Sequence, residues 1–185
     1  MPDGLSLDCV LINNRAAMYQ ATKHMIDLGH RSFGLIGGPL SYMTARERQA
    51  GMLDALAAAG IGEDSIWIEQ GDWNIGGSYT AVNRLLDRAP RPLALMTVNN
   101  EATIAALMAL QERKEQIPEE VALLGFDEML WASAYNPPLS MVNQHPFYIG
   151  TAAAELLLAR MQNPERPIQQ VVLEADLIVR KSCGA

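Results

Sequence analysis

Two adjacent carboxylates, a pair of arginines and a tryptophan carry most of the chemistry this sequence offers. Asp127 and Glu128 close the apolar run Val121–Phe126. As neighbours on an extended strand they point to opposite faces, so they cannot serve as acid and base on one substrate. Asp127 is placed to accept hydrogen bonds from a ligand; the other reading makes it a cap for the short helix that follows. Arg46 and Arg48 lie in Thr44-Ala45-Arg46-Glu47-Arg48, just after the turn Gly37-Gly38-Pro39. A helical spacing of two puts them on different faces, so only one faces a pocket while the other meets solvent or Glu47. Trp73, in Gly71-Asp72-Trp73-Asn74, is either a stacking face for a sugar ring or a base, or a plug in the local core.

Other chemistries lack their motifs. His24, His30 and His145 have no metal-ligand spacing, and no serine sits in a GxSxG elbow. Gly37-Gly38 does not continue into GxGxxG, so no nucleotide fingerprint is present. The expectation is therefore no metal, no cofactor and no enzymatic step. His30 follows a helix-ending Gly29 and is expected to help complete the helix terminus. Trp131 and Tyr135 offer an apolar surface for a partner subunit, with core packing as the alternative.

The elements that must position these residues follow from hydropathy. Short β-rich runs alternate with stretches of helical period, the pattern of βαβ units around a parallel sheet. Strands are expected at Cys9–Ile12, Ser32–Ile36, Ser65–Glu69, Leu93–Val98, Val121–Phe126, Ser140–Asn143 and Val171–Val179. Helices are expected at Ala16–Leu28, Ala45–Ala59, Gly77–Asp87, Glu101–Gln111 and Ile149–Met161. An unalternating run such as Val121–Phe126 is covered on both faces, which puts Asp127 at a strand's carboxyl end. That edge is where open α/β sheets bind small ligands. Gly29 and Gly60 stand where helices end, Asn99 or Asn100 where one is capped, and Asn136–Leu139, with two prolines, is read as a hinge at which the chain leaves the main sheet.

Composition sets the frame. With 185 residues, 49% of them hydrophobic, the chain can build one sizeable core. Its net charge of −7 and only 14 lysines and arginines argue against a grip on nucleic acid by this segment. Cys9 and Cys183, far apart and without CxxC, read as free thiols of a reducing, cytoplasmic compartment. No apolar run approaches a membrane span, and Met1–Val10 lacks the regions of a signal peptide.

An ordered series of motifs goes further. Leu28-Gly29-His30-Arg31, Ile36-Gly37-Gly38-Pro39, Arg46-Glu47-Arg48-Gln49-Ala50-Gly51, Val98-Asn99-Asn100-Glu101, Ile117-Pro118-Glu119-Glu120-Val121 and Gly125-Phe126-Asp127-Glu128 are followed by Pro137-Pro138-Leu139, Gln144 and Leu177–Ser182. Together they resemble the effector-binding domain of the lactose repressor (LacI/GalR) family of transcription regulators, from about Val10 to Ser182. The resemblance implies a periplasmic-binding-protein-like type I lobe with part of a second lobe. Residues 14–135 and 171–185 would form the carboxyl-terminal lobe and residues 1–13 and 140–162 remnants of the other, with the DNA-binding headpiece absent. Effector contacts would fall on Arg48, Trp73, Asn99, Asp127 and Gln144, and the effector would be a sugar. A nucleobase is the second choice, and a sugar-binding transport receptor shares the fold. Homodimers would associate through Ile104, Leu107, Trp131 and Tyr135, and operator DNA would be met only through the headpiece. Asn13 and Asn100 depart from the aspartates usual in the family, and His145 stands where proline or an acid is common.

Overall fold

The computed structural model describes residues 7–185, so the part of the expected amino-terminal remnant and of the Met1–Val10 reading that falls on residues 1–6 lies outside them. In chain order the elements are β1 (Cys9–Ile12), α1 (Asn14–Asp27), β2 (Phe33–Gly37), α2 (Met43–Ala58), β3 (Ile66–Gln70), α3 (Ile75–Arg88) and β4 (Leu93–Thr97). There follow α4 (Asn100–Arg113), β5 (Val121–Phe126), β6 (Ser140–Asn143), α5 (Pro146–Gln162), β7 (Gln170–Leu173) and β8 (Asp176–Ile178).

Six strands form the main sheet in the order β3-β2-β4-β5-β6-β8, parallel except for the antiparallel β6–β8 pair. The apolar runs of β2, β4 and β5 lie at its centre and are buried along their whole length. On one face, Met18, Met25, Phe33, Leu35, Met52, Leu56 and Phe126 make a core beneath α1 and α2. On the other, Val82, Leu85, Leu95, Leu110 and Leu123 make a second core beneath α3 and α4. The result is a helix–sheet–helix sandwich, the architecture that unalternating parallel strands require. Gly51 lets α1 and α2 meet closely, since a Cβ there would stand 2.2 Å from the carbonyl oxygen of Arg15. Gly29 (φ 97°) and Gly60 (φ 71°) follow α1 and α2 in the left-handed conformation expected of them.

Among the described residues a second sheet contains β1 and β7, parallel in register Cys9↔Gln170 to Ile12↔Leu173, with α5 packed beside β1. The chain therefore passes between the two sheets three times: after β1 at Asn13, after β6 at Gln144–His145, and between β7 and β8 at Glu174–Ala175.

Two expectations are corrected. Ser140–Asn143 does not belong with the small unit, because β6 pairs with β5 and β8 in the main sheet, and the prolines before it do not take the chain out of that sheet. Val171–Val179 is not one strand. Its first part pairs with β1 in the small sheet and its last part with β6 in the large one.

Candidate functional site

The carboxyl ends of β3, β2, β4, β5 and β6 form one edge of the main sheet, and the candidate residues gather there. The backbone marks the same edge. Of the four non-glycine residues with positive φ among those described, three follow these strands: Trp73 (54°) after β3, Asp127 (72°) after β5 and His145 (53°) after β6. Each costs about 1–2 kcal/mol for an ordinary side chain, a strain that persists where surrounding contacts enforce it.

Arg48 is the centre of the site. Helix α2 carries it inward, and only 5% of the residue is exposed. Its Nε donates to Asn14 Oδ1 at 2.7 Å, Nη1 donates to the Val98 carbonyl, and the guanidinium carbon lies 3.7 Å from the centroid of the Phe126 ring. Among the described residues Nη2 meets no hydrogen-bond acceptor, which leaves a charged donor for a ligand. Burial lowers the Arg48 pKa to about 10, against the pull of Asp127 and Glu47, so the group remains a cation at neutral pH. Arg46, on the exposed face, donates to the carbonyls of Leu40 and Ser41 at 2.8 and 3.0 Å rather than pairing with Glu47.

Asp127 Oδ1 lies 3.8 Å from Arg48 Nη1 and accepts a hydrogen bond from Gln144 Nε2. Burial raises its pKa; Arg48, the Gln144 amide and the backbone N–H of Asn100 at the start of α4 oppose that shift. Glu128 turns away and pairs with Arg180 at 2.6 Å; both carboxylates lie beyond the end of β5, so the left-handed bend at Asp127, and not the strand alternation expected, separates them. Asn99 is 7% exposed and caps α4, its Oδ1 accepting from Ala102 N at 2.9 Å while Nδ2 donates to Glu101 at 3.0 Å. Next to it, Asn100 Oδ1 is buried with no partner among the described residues, an acceptor left open at the same edge.

Trp73 is partly buried, as its reading as a local core plug expects. Its ring lies against Gly38, where a Cβ would come within 2.5 Å of the indole, and part of it packs on the core under α1 and α2. The half-exposed Tyr42 meets it edge to face at 5.9 Å. The structure thus brings Arg48, Asp127 and Gln144 together and places Trp73 in the loop after β3 and Asn99 in the turn after β4, at the same edge. Asn14 and Tyr42 belong to this neighbourhood too. No motif flagged them, because an asparagine opening a helix reads as a cap and a lone tyrosine carries no spacing signal.

Other expected residues fall elsewhere. Leu107, read as a partner-facing residue, belongs to the core beneath α4 at 8% exposure, because α4 turns it toward the sheet. Trp131 and Tyr135 pack against that core from the surface, and Ile104 is partly buried. Leu130, 90% exposed, is the apolar residue that stands free beside them. His30 helps complete α1 through its backbone, its N–H donating to the Met25 carbonyl at 3.2 Å, while its ring is used elsewhere, Nε2 lying 2.9 Å from the Cys183 carbonyl. Cys9 and Cys183 are free thiols. No helix among the described residues is long and apolar enough to cross a membrane, and no group of three metal-ligating side chains is found among them.

Comparison with known proteins agrees with this geometry. The family described as a periplasmic binding protein-like domain matches residues 22–183. The ribose operon repressor of Haemophilus influenzae is 33% identical over 96% of this chain and 54% of that protein. The repressor PurR of Aliivibrio salmonicida is 29% identical over 98% of this chain and 54% of its own length. Among solved structures, a transcriptional regulator CelR–cellobiose complex superposes with a TM-score of 0.88 at 33% identity, covering 98% of this chain and 56% of that one. A LacI-family regulator from Enterococcus faecium with bound ribose gives a TM-score of 0.85 at 26% identity, covering 95% and 65%. The chain spans about half the length of the curated relatives it matches. A parallel sheet with its ligand-type residues gathered at one edge, a second sheet joined to it by three passages, and these matches together identify the chain as a member of the periplasmic binding protein-like family, in the form found in LacI-family transcription regulators.

Proposed function

We propose that this chain is the effector-sensing part of a cytoplasmic transcription repressor, binding a sugar at the edge formed by Arg48, Asp127, Gln144, Asn99 and Trp73. The observation that carries this reading is the Arg48–Asp127 arrangement. A buried guanidinium with a free Nη2 and a carboxylate 3.8 Å away offer a donor and an acceptor to vicinal hydroxyls. Trp73 and Tyr42 supply aromatic faces for the apolar side of a ring. A nucleobase is the second reading, since an arginine, a carboxylate and an aromatic ring also suit a planar heterocycle, and PurR is among the relatives.

In this reading the main sheet with its four helices is one lobe, and β1, β7 and α5 are the part of a second lobe that this chain contains. The remainder of the full-length protein covers α5 and supplies the DNA-binding headpiece. Effector binding draws the lobes together and shifts operator affinity through a coupling of roughly 1–3 kcal/mol. No bond is made or broken. Two copies associate through the surface around Leu130, Trp131 and Tyr135.

Arg48→Ala in the full-length protein is expected to lose roughly 10- to 100-fold in effector affinity while operator binding stays intact, since one charged hydrogen-bonding partner is removed from a buried site. Operator release titrated with ribose and with cellobiose reads this out, and unchanged release would refute the assignment. Leu130→Arg is expected to give monomers by light scattering, without the loss of core contacts that a change at Trp131 brings. A dimer that persists would place the interface elsewhere.

A further inference from the structure

One side-chain amide joins the site's cation to a passage between the two sheets. Asn14 is the first residue of α1, immediately after the chain leaves β1, and is 3% exposed. Its Oδ1 accepts from Arg48 Nε at 2.7 Å, while its Nδ2 donates to the carbonyl of Ile12, the last residue of β1, at 3.1 Å. Both polar ends of the amide are therefore engaged, one on each side of the passage. The second passage is tied to the same place, because Gln144, which follows β6, donates to Asp127. The third is fastened to the first: Asn13 donates from Nδ2 to Glu174 at 3.1 Å and from its backbone N–H to the Leu173 carbonyl at 2.9 Å.

We infer that Asn14 is a positioning residue that holds the Arg48 guanidinium in its ligand-facing orientation and couples it to the β1–α1 passage. Its consequence for sensing rests on the effector reading given above; the positioning itself does not. An arginine has many rotamers, and a buried one is held by the acceptors within its reach. Val98 takes Nη1, and Asn14 takes Nε. Those two acceptors direct the remaining Nη2 toward the open edge. An amide suits this task better than a carboxylate: it orients the guanidinium without neutralising it, so the charge remains available to a ligand. Since Asn14 also holds the Ile12 carbonyl, a ligand that moves Arg48 acts on the end of β1.

The test needs a readout that does not depend on knowing the effector. Phenylglyoxal modifies accessible guanidinium groups, and peptide mass spectrometry resolves Arg48 from the exposed Arg46. In the full-length protein, Arg48 is expected to react slowly. Asn14→Ala is expected to raise its rate about tenfold, as loss of one buried hydrogen bond to a charged group implies, with Arg46 unchanged. Asn14→Asp, which keeps an acceptor for Nε, is expected to leave Arg48 protected. Should Asn14→Ala not fold, Asn14→Ser, whose hydroxyl is too short to reach Nε, takes its place. Equal Arg48 rates in wild type and in a folded Ala or Ser variant would overturn the inference, as would parallel acceleration at Arg46 or equal acceleration in Asn14→Asp. Operator release by ribose and cellobiose separates the two levels. Faster Arg48 labelling in Asn14→Ala, beside an Arg48→Ala protein that still responds to sugar, would sink the effector reading and leave the Asn14–Arg48 link standing.

Discussion

The main sheet and the small β1–β7 unit are built from similar apolar material, yet they end in opposite conditions. Strands β2, β4 and β5 are buried throughout, between helices on both faces. Helix α5 has 17 residues and a comparable share of large side chains, but only Leu156 is buried. Phe147, Tyr148, Leu157, Leu158 and Met161 are between 58% and 78% exposed. A helix apolar on all sides belongs in an interior, so the difference lies in what covers each unit and not in how its residues are chosen. Ligand-type residues cluster where covered and uncovered units meet: Arg48 on α2 and Asp127 just after β5 in the covered unit, Asn14 and Gln144 at the passages leading to the other unit.

The largest effect expected from this contrast is at the centre of the covered sheet. Leu123 is fully buried in β5, and Leu123→Ala should cost roughly 2–5 kcal/mol, the lost transfer energy plus the cavity left behind. Urea denaturation measures it. A loss under 1 kcal/mol would mean that the β5 layer collapses around the gap and is not the rigid platform the site requires.

A smaller effect distinguishes the two units directly. Leu158 is 58% exposed on α5, so Leu158→Ser in the 185-residue chain should change stability by less than about 0.5 kcal/mol. In the full-length protein, where the proposed cover lies on α5, the same change should cost roughly 1–3 kcal/mol. The difference between the two measurements reports the burial that this chain does not itself supply. Identical values would show α5 facing solvent in both.

The contrast also explains what the sequence disclosed. The unalternating runs at Leu35, Leu95 and Leu123 announce a sheet covered on both faces, and strand position alone places Asp127 at the ligand edge. Hydropathy is silent on which sheet a strand joins. Val171–Val179 reads as one continuous strand because the passage at Glu174–Ala175 contains neither glycine nor proline; its two halves part only because their hydrogen-bonding partners, β1 and β6, lie far away in the chain. Ser140–Asn143 misleads in the other direction, its prolines marking a turn and not a departure. Asn14 was illegible for the same reason: its meaning depends on Arg48, 34 residues later.

The subtlest consequence of cover is titration. Burial raises the pKa of Asp127 above its ordinary 3.8, so the folded chain holds that proton more tightly than the unfolded chain does. The stabilising contribution of this group is then fully present below 3.8 and lost as pH rises through the folded value. In the proposed effector-binding role, affinity is expected to run the other way. As pH falls through the same value, Asp127 takes up a proton, loses its charge beside Arg48 and accepts hydrogen bonds less well. Arg48, at about 10, stays cationic throughout this range and limits affinity only on the alkaline side. Sugar titrations from neutral to acid pH should therefore weaken at a pH above that of an ordinary aspartate, and Asp127→Asn should flatten the acid limb. If the rest of the full-length protein closes over the edge, desolvation moves that limb to still higher pH. A limb that remains in the Asn variant would assign the proton to another group and separate the buried carboxylate from the sensing step.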